Sequence, residues 1–553
     1  MAAALAVGIS AYDVWMLAIP VAPYFAVKPG MNAWRIYPQR AAIVLAFLAA
    51  QTLLFRAALL SPRRLRIAAL VAFAFVVLLQ YGFWAGAGGV LNVHDVSMAF
   101  DNVKYWPSMT AAFLGWRGVV PIAVAAAALA WLAAPSRRWP RAWAVALVVT
   151  IAAHATLGIS EYARRNIEAG DQGLVAPPMT VFQAFARTLT LLACDEIDAR
   201  VRPTHRAALA YHAPSTPTRH VVLVIDESMS ADHLSVNGYT RPTTPWLASL
   251  ASKGLITTWG EAAAAATYSD ASVISLLTGF DEFPDLHHAV FTWPTLFQYA
   301  KAMGYETHLF DGESSARRYG LDWRDMAFVD DWRTTTAFGD DAATDARMAA
   351  AARAALASTP GQFLVILKRG NHEPPEANYP AGTGAWSPSR DQAVPAGQDI
   401  AAIVNSYDNA IRYNLDAFFR ALLSADGHLA RTAGLYTSDH AEALGDHGGD
   451  PFIRRMSKDV LTVPLLAFGD EFPRADTGYR ASHRNVFATI LDLLDVPPSA
   501  RVELYGRSLL GARASDHDLR HVLNGYMFGS QFAFEVRDFD DLSRVLASAS
   551  AGR

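Results

Sequence analysis

Cysteine is all but missing. The 553 residues contain one, Cys194, which excludes an intramolecular disulfide framework and any metal site built from several thiolates. Acidic residues are nearly as scarce at one end. The first 160 residues hold about 3 carboxylates (Asp13, Asp95 and Asp101) against about 12 lysines and arginines, whereas the remainder holds about 35 basic and 48 acidic residues. That split excludes a uniformly soluble protein, and the acidic balance of the larger part excludes a nucleic-acid binder resting on a basic surface. At about 100–200 residues per domain, 553 residues make two or three folded units.

The acid-poor part is rich in long apolar runs. A bilayer core takes about 20 mainly apolar residues in a helix, and five stretches qualify: Leu5–Val27, Ala41–Leu60, Ile67–Trp84, Val119–Ala134 and Ala142–Ile159. The first carries Asp13, Pro20 and Pro23, and a signal peptide is its alternative, although no charged leading segment or small-residue cleavage site accompanies it. Arg63, Arg64 and Arg66 fill one tight loop and Arg137, Arg138 and Arg141 another. Basic loops stay cytoplasmic, so the fifth helix should end outside and everything after about residue 160 should lie in the periplasm, or outside a cell with one membrane. Met179, Phe182, Phe185, Ala186, Leu189 and Leu192 recur at helical spacing, as in an amphipathic helix lying on the bilayer or packed on the soluble domain. Pro203 and the run Pro214–Pro217 then act as a hinge. The expected divisions are a transmembrane domain over 1–160, a linker over 161–218 and a catalytic domain over 219–553.

The last of these reads as α/β. His220–Ile225 (HVVLVI) is a continuous apolar run of the kind a buried parallel strand needs. Comparable runs follow at Thr307–Phe310, Phe363–Leu367, Gly434–Thr437 and Val463–Phe468. Between them lie helical patterns at Thr244–Lys253, Thr295–Met303, Asp341–Ala357 and Ile403–Leu423. This alternation predicts a central, mainly parallel sheet flanked by helices, with ligands beyond the carboxyl ends of the strands. Those ends carry Asp226-Glu227-Ser228, Asn371-His372 and Ser438-Asp439-His440. A DH pair alone is usually a surface turn. Three acidic or histidine clusters at the ends of buried strands suit a divalent metal, and mixed oxygen and nitrogen ligation suits zinc or manganese.

The stretch VVLVIDESMSADHLSVNGYTRPTTPWL (Val221–Leu247) resembles the opening motif of the membrane phosphoethanolamine transferases, the lipid A-modifying and colistin-resistance group within the alkaline phosphatase/sulfatase superfamily. The resemblance continues in order through NHEPPEANYP (Asn371–Pro380), NSYDNAIRYNLD (Asn405–Asp416), TSDHAEALGDHG (Thr437–Gly448), VPLLAF (Val463–Phe468) and SHRNVFATILDLLDV (Ser482–Val496). Five spans ahead of the domain match the family's architecture. The resemblance implies Glu227, Asp439 and His440 as ligands of a catalytic zinc, with manganese as the substitute. It implies a threonine nucleophile as the fourth ligand, at a helix N-terminus where peptide N–H groups favour a phosphate. In AAATYSDASVISLLTG (Ala264–Gly279), Thr267 is preferred over its rivals Ser269 and Thr278.

His372 is implied as proton donor or ligand of a second metal. His447 would stand in for a family histidine expected where the chain has Phe452, and His483 would touch substrate or hold a loop. HDVSMAFDN (His94–Asn102) resembles the family's lipid-holding loop. It keeps Asn102, but Trp106 and Thr110 replace the expected threonine and glutamate, removing a partner for an ethanolamine ammonium group. The family's cysteine-rich loops are absent, and Arg317 or Arg318 in DGESSARRY is the candidate phosphate binder in place of a lysine.

The resemblance therefore implies a membrane enzyme, expected as a monomer, that moves a phosphoethanolamine-type head group from a phospholipid donor to a lipid or glycan acceptor. The alternatives are a phosphoglycerol transferase of the lipoteichoic-acid-synthase type, a sulfatase-like hydrolase, and a non-enzymatic glycan-binding protein. The hydrolase needs Cys or Ser followed by Pro two and Arg four residues on, and Thr267 is followed by Ser269 and Ala271. The non-enzymatic reading calls for a missing ligand, and Glu227, Thr267, Asp439 and His440 are all present.

Overall fold

The computed structural model describes residues 206–544, except 212–215, 281–291, 314–320, 322–323, 360, 391–398, 449–450, 453–455, 503–504 and 529–530. The five expected spans, Asn102, the Met179–Leu192 stretch and Arg317 lie outside the described residues. No helix among the described residues is long and apolar enough to cross a membrane. The chain divides into two compact units, Met1–Val201 with Phe528–Ala533, and Arg202–Met527 with Phe534–Arg553. The second unit carries the large sheet.

Among the described residues, nine strands alternate with helices: β1 (His220–Asp226), α1 (Pro245–Ser252), β2 (Ile256–Ala263), α2 (Ser269–Thr278), α3 (Leu296–Ala302), β3 (Glu306–Asp311), β4 (Asp331–Arg333), α4 (Thr344–Leu356), β5 (Gln362–Leu367), α5 (Ile400–Leu422), β6 (Thr432–Ser438), β7 (Thr462–Phe468), α6 (Arg484–Leu493), β8 (His521–Phe528) and β9 (Gln531–Asp538). Seven of the strands form one sheet in the order β2-β7-β6-β1-β5-β3-β4, and β8 and β9 form a separate pair. β7 runs antiparallel to both its neighbours, and the other recorded pairings in the large sheet are parallel. The expected central sheet is present, and all five expected strands lie in it.

β1, β5, β6 and β7 are buried along their whole length because helices cover both faces. Side chains alternate across each strand. Val222 and Val224 of β1 and Leu364 and Ile366 of β5 join one apolar cluster with α1, α4 and α5. On the other face Phe297 of α3 packs edge-on to Phe363 at 5.7 Å, and Tyr299 to Phe487 of α6 at 6.1 Å. α3 opens with a reciprocal Thr295–Gln298 cap and α5 with Asp399 accepting from Ala401 and Ala402 N–H.

One register fact builds the site. β1 pairs β6 in parallel with Asp226 opposite Ser438. Glu227 and Asp439, the next residue on each strand, therefore leave the sheet side by side, about 4.8 Å apart as neighbouring strands are.

Candidate active site

Glu227, Asp439 and His440 are buried together, and one ligand atom from each lies within 4.8 Å of the others. His440 Nε2 stands 3.4 Å from Asp439 Oδ2 and 3.7 Å from Glu227 Oε1. Its Nδ1 is 2.9 Å from the carbonyl of Ala441, the bond that fixes Nδ1 as donor and leaves Nε2 as a lone pair facing the carboxylates. Asp439 Oδ1 accepts from Ser228 N–H at 3.1 Å and His440 N–H at 2.6 Å, whereas Oδ2 is buried without a hydrogen-bond partner. Burial first, and the neighbouring Glu227 next, push the Asp439 carboxyl well above the usual range.

These features fit a divalent ion. An orphaned carboxylate oxygen, two like charges held together and an imidazole in the ligating tautomer form a strained set that a cation relieves. Ligand atoms of a tetrahedral zinc at about 2.0–2.1 Å lie roughly 3.3–3.4 Å apart, close to the separations seen. Ser228 Oγ donates to Glu227 Oε1 at 2.6 Å and orients that carboxylate.

Besides Ser228, Ser269 brings a hydroxyl against the triad, and it reaches both an acidic member and the imidazole. Its Oγ donates to Glu227 Oε2 at 3.1 Å and lies 3.4 Å from His440 Nε2. Ser269 is the first residue of α2 and is partly exposed, after Tyr268 in extended conformation (φ −136°, ψ 143°). Thr267 lies two residues upstream, fully buried, with its N–H donating to the Leu523 carbonyl at 3.0 Å. Thr278 is the last residue of α2, at the opposite end from Ser269, and its hydroxyl donates to the Ile274 carbonyl at 2.7 Å.

The other expected site residues fare differently. His372 follows β5 and is partly exposed, with Nδ1 2.8 Å from the Glu373 carbonyl. His447 is 38% exposed, 3.3 Å from Asp459 and 3.6 Å from Asp446, and is not among the residues grouped with the triad. His483 is buried: Nδ1 accepts from Ala265 N–H at 3.0 Å and Nε2 is 3.2 Å from Thr437 Oγ1. Burial lowers its pKa to about 3. Both ring nitrogens thus face groups of the fold, so His483 holds the segment leading to Ser269, the loop-holding one of its two expected roles.

His233 was not singled out by its sequence. It is buried between Asp408 (Nδ1–Oδ1 2.7 Å) and Asp446 (Nε2–Oδ2 3.2 Å). Burial opposes its charge, but the two carboxylates outweigh it and raise the pKa to about 10. It clamps the loop that follows Asp439-His440 against α5.

Acid, imidazole and hydroxyl gathered at the carboxyl ends of a mostly parallel sheet define the alkaline phosphatase/sulfatase superfamily. Within it, the Sulfatase profile matches residues 219–496, half of the chain, and the chain belongs to that family. It is 25% identical over 305 residues to the Kdo(2)-lipid A phosphoethanolamine 7''-transferase of Escherichia coli K12, covering 51% of this chain and 53% of that protein. It is 29% identical over 300 residues to the phosphoethanolamine transferase CptA of Salmonella typhimurium, covering 51% and 49%. The chain spans about half the length of the curated relatives it matches. The integral membrane lipooligosaccharide phosphoethanolamine transferase A of Neisseria meningitidis shares the fold, with a TM-score of 0.55 at 16% identity over 88% of this chain and 95% of that one.

Proposed function

We propose that the protein is a metal-dependent transferase. It moves a phosphoethanolamine-type head group from a phospholipid to a surface lipid or glycan on the outer side of a bacterial inner membrane. The observation that carries this reading is the Ser269 hydroxyl at the start of α2, 3.1 Å from Glu227 and 3.4 Å from His440. The reading takes Ser269, rather than Thr267, as the nucleophile. The names of the relatives support the substrate class, and the five apolar segments ahead of the domain support the membrane setting.

Glu227, Asp439 and His440 would hold a zinc ion, with manganese as a substitute, and the ion would supply Lewis acidity to an alcohol and to phosphoryl oxygens. The chain's own groups do the rest. Glu227 Oε2 lies within reach of the Ser269 proton, and the first N–H groups of α2 face the charge that builds on phosphorus. Ser269 Oγ bonds to phosphorus as its proton passes to Glu227 and the bond to the diacylglycerol oxygen breaks, and His372 protonates that oxygen. A hydroxyl or phosphate oxygen of the acceptor then attacks phosphorus, an acceptor hydroxyl giving its proton to His372, and the bond to Ser269 breaks as the Ser269 oxygen takes its proton back from Glu227. The experiment is intact mass spectrometry of the full chain after incubation with phosphatidylethanolamine vesicles. A phosphoethanolamine adduct on Ser269 is expected; a phosphoglycerol adduct, formed only with phosphatidylglycerol, would favour the lipoteichoic-acid-synthase type, for which the loss of the loop carboxylate at Thr110 speaks.

A further inference from the structure

Lysine is almost never fully buried, yet Lys368 is, directly beneath the site. Its Nζ lies 2.5 Å from Asp226 Oδ2 and 3.5 Å from Asp345 Oδ2, and 5.0 Å above the Phe418 ring. Tyr436 Oη donates to the same Asp226 oxygen at 2.7 Å. A buried ion pair is often no more stabilising than apolar groups of the same volume, so stability alone is a poor reason for this one. Its connections supply a better reason.

Asp226 touches the backbone of both acidic residues of the triad. Its Oδ1 accepts from Glu227 N–H at 3.0 Å, and its carbonyl accepts from Asp439 N–H at 2.9 Å. Asp345, on α4, holds the turn that leads to His372: Oδ1 accepts from Arg369 N–H at 2.9 Å and Oδ2 from Gly370 N–H at 3.1 Å. The two segments also meet directly, since Lys368 N–H donates to Ile225 O at 2.8 Å and Asn371 N–H to Glu227 O at 2.9 Å. They are pressed so close that a Cβ on Gly370 would lie 2.2 Å from Asp226 Oδ1.

We propose that Lys368 is a positioning residue for phosphoryl transfer: its ammonium ties the end of β1 that bears Glu227 to the turn that bears His372, and so sets the span between nucleophile activation and leaving-group protonation. The role rests on the function proposed above. Misplacing such groups by about 1 Å is worth about 100-fold in rate, and removing the outer partners of metal ligands weakens binding by about 10–100-fold.

The test uses the full chain with Lys368→Met and the double variant Lys368→Met/Asp226→Asn, which removes the nearer carboxylate's charge as well, reading zinc affinity by titration, kcat and donor KM by head-group transfer, and melting temperature. Lys368→Met leaves two carboxylates buried without their cation and should melt earlier; the double variant, with only Asp345 left uncompensated, should regain part of that loss. Both should bind zinc about 10-fold or more weakly and lose about 100-fold in kcat with donor KM little changed. Wild-type zinc affinity and kcat in the stable double variant would show the pair to be structural and overturn the proposal. A wild-type chain that binds no zinc and takes up no head group would instead overturn the functional reading, and this role with it.

Discussion

Replacing Ser269 and Thr267 separately by alanine separates chemistry from packing. Ser269 Oγ makes its recorded contacts with Glu227 and His440, from a partly exposed helix start. Ser269→Ala should therefore change stability by no more than about 2 kcal/mol, the scale of one hydrogen bond to a charged group. Turnover should fall by about 10⁴-fold or more, as when a nucleophile that acts as a unit with its neighbours is deleted. Thr267 is fully buried beside the Leu523 backbone, so Thr267→Ala removes a packed methyl and a hydroxyl, about 1–3 kcal/mol, while turnover stays within about tenfold. The effects run in opposite directions, one variant stable and inactive, the other softer and active. Thermal melts and transfer of labelled head group from phosphatidylethanolamine measure both, and Ser269→Thr should retain turnover because it restores the alcohol. An adduct mapped to Thr267, or near-normal turnover by Ser269→Ala, would refute the assignment.

A strong chelator should abolish transfer, with zinc or manganese restoring it and magnesium failing, because one ligand is an imidazole. Zinc affinity should fall as pH is lowered, since burial and Glu227 hold the Asp439 carboxyl well above its usual range and the ion must displace that proton; a titration flat in pH would contradict this. His233 is raised from 6.5 to about 10, so the stability it contributes is complete below about pH 6.5 and lost as pH rises towards 10. The gap in melting temperature between wild type and His233→Gln should narrow over that interval, and a constant gap would count against the clamp. Gly370→Ala forces a Cβ to within 2.7 Å of Glu227 N and O at a φ of +54°, and should destabilise the protein by about 2 kcal/mol or more and weaken zinc binding, both readable by calorimetry.

The large sheet was legible because β1, β5 and β6 are buried on both faces and so read as unbroken apolar runs. β2 was not, because Gly260-Glu261 interrupts it where the pairing with β7 slips and Gly260 takes a φ of +74°. That Glu227, Asp439 and His440 cluster was legible for a local reason: each stands one or two residues past such a strand. The choice of hydroxyl depended instead on where α2 begins, and a boundary between Tyr268 and Ser269 leaves little trace in residue types. Lys368 escaped altogether. Its partner Asp226 is 142 residues away, and nothing in the composition near either one announces the pairing.

Membership of the Sulfatase family does not make the chain a sulfatase. The formylglycine motif of the hydrolytic branch needs a Cys or Ser with Pro two and Arg four residues on. After Ser269 come Ala271 and Val273, and the lone cysteine, Cys194, lies outside the matched residues. A head group carried on Ser269 is a phosphodiester and must wait for an outside oxygen, so it should accumulate when acceptor is withheld and discharge when acceptor is supplied. Rapid release of free phosphoethanolamine without acceptor would mean that water takes the acceptor's place, and would favour a hydrolase over the proposed transferase.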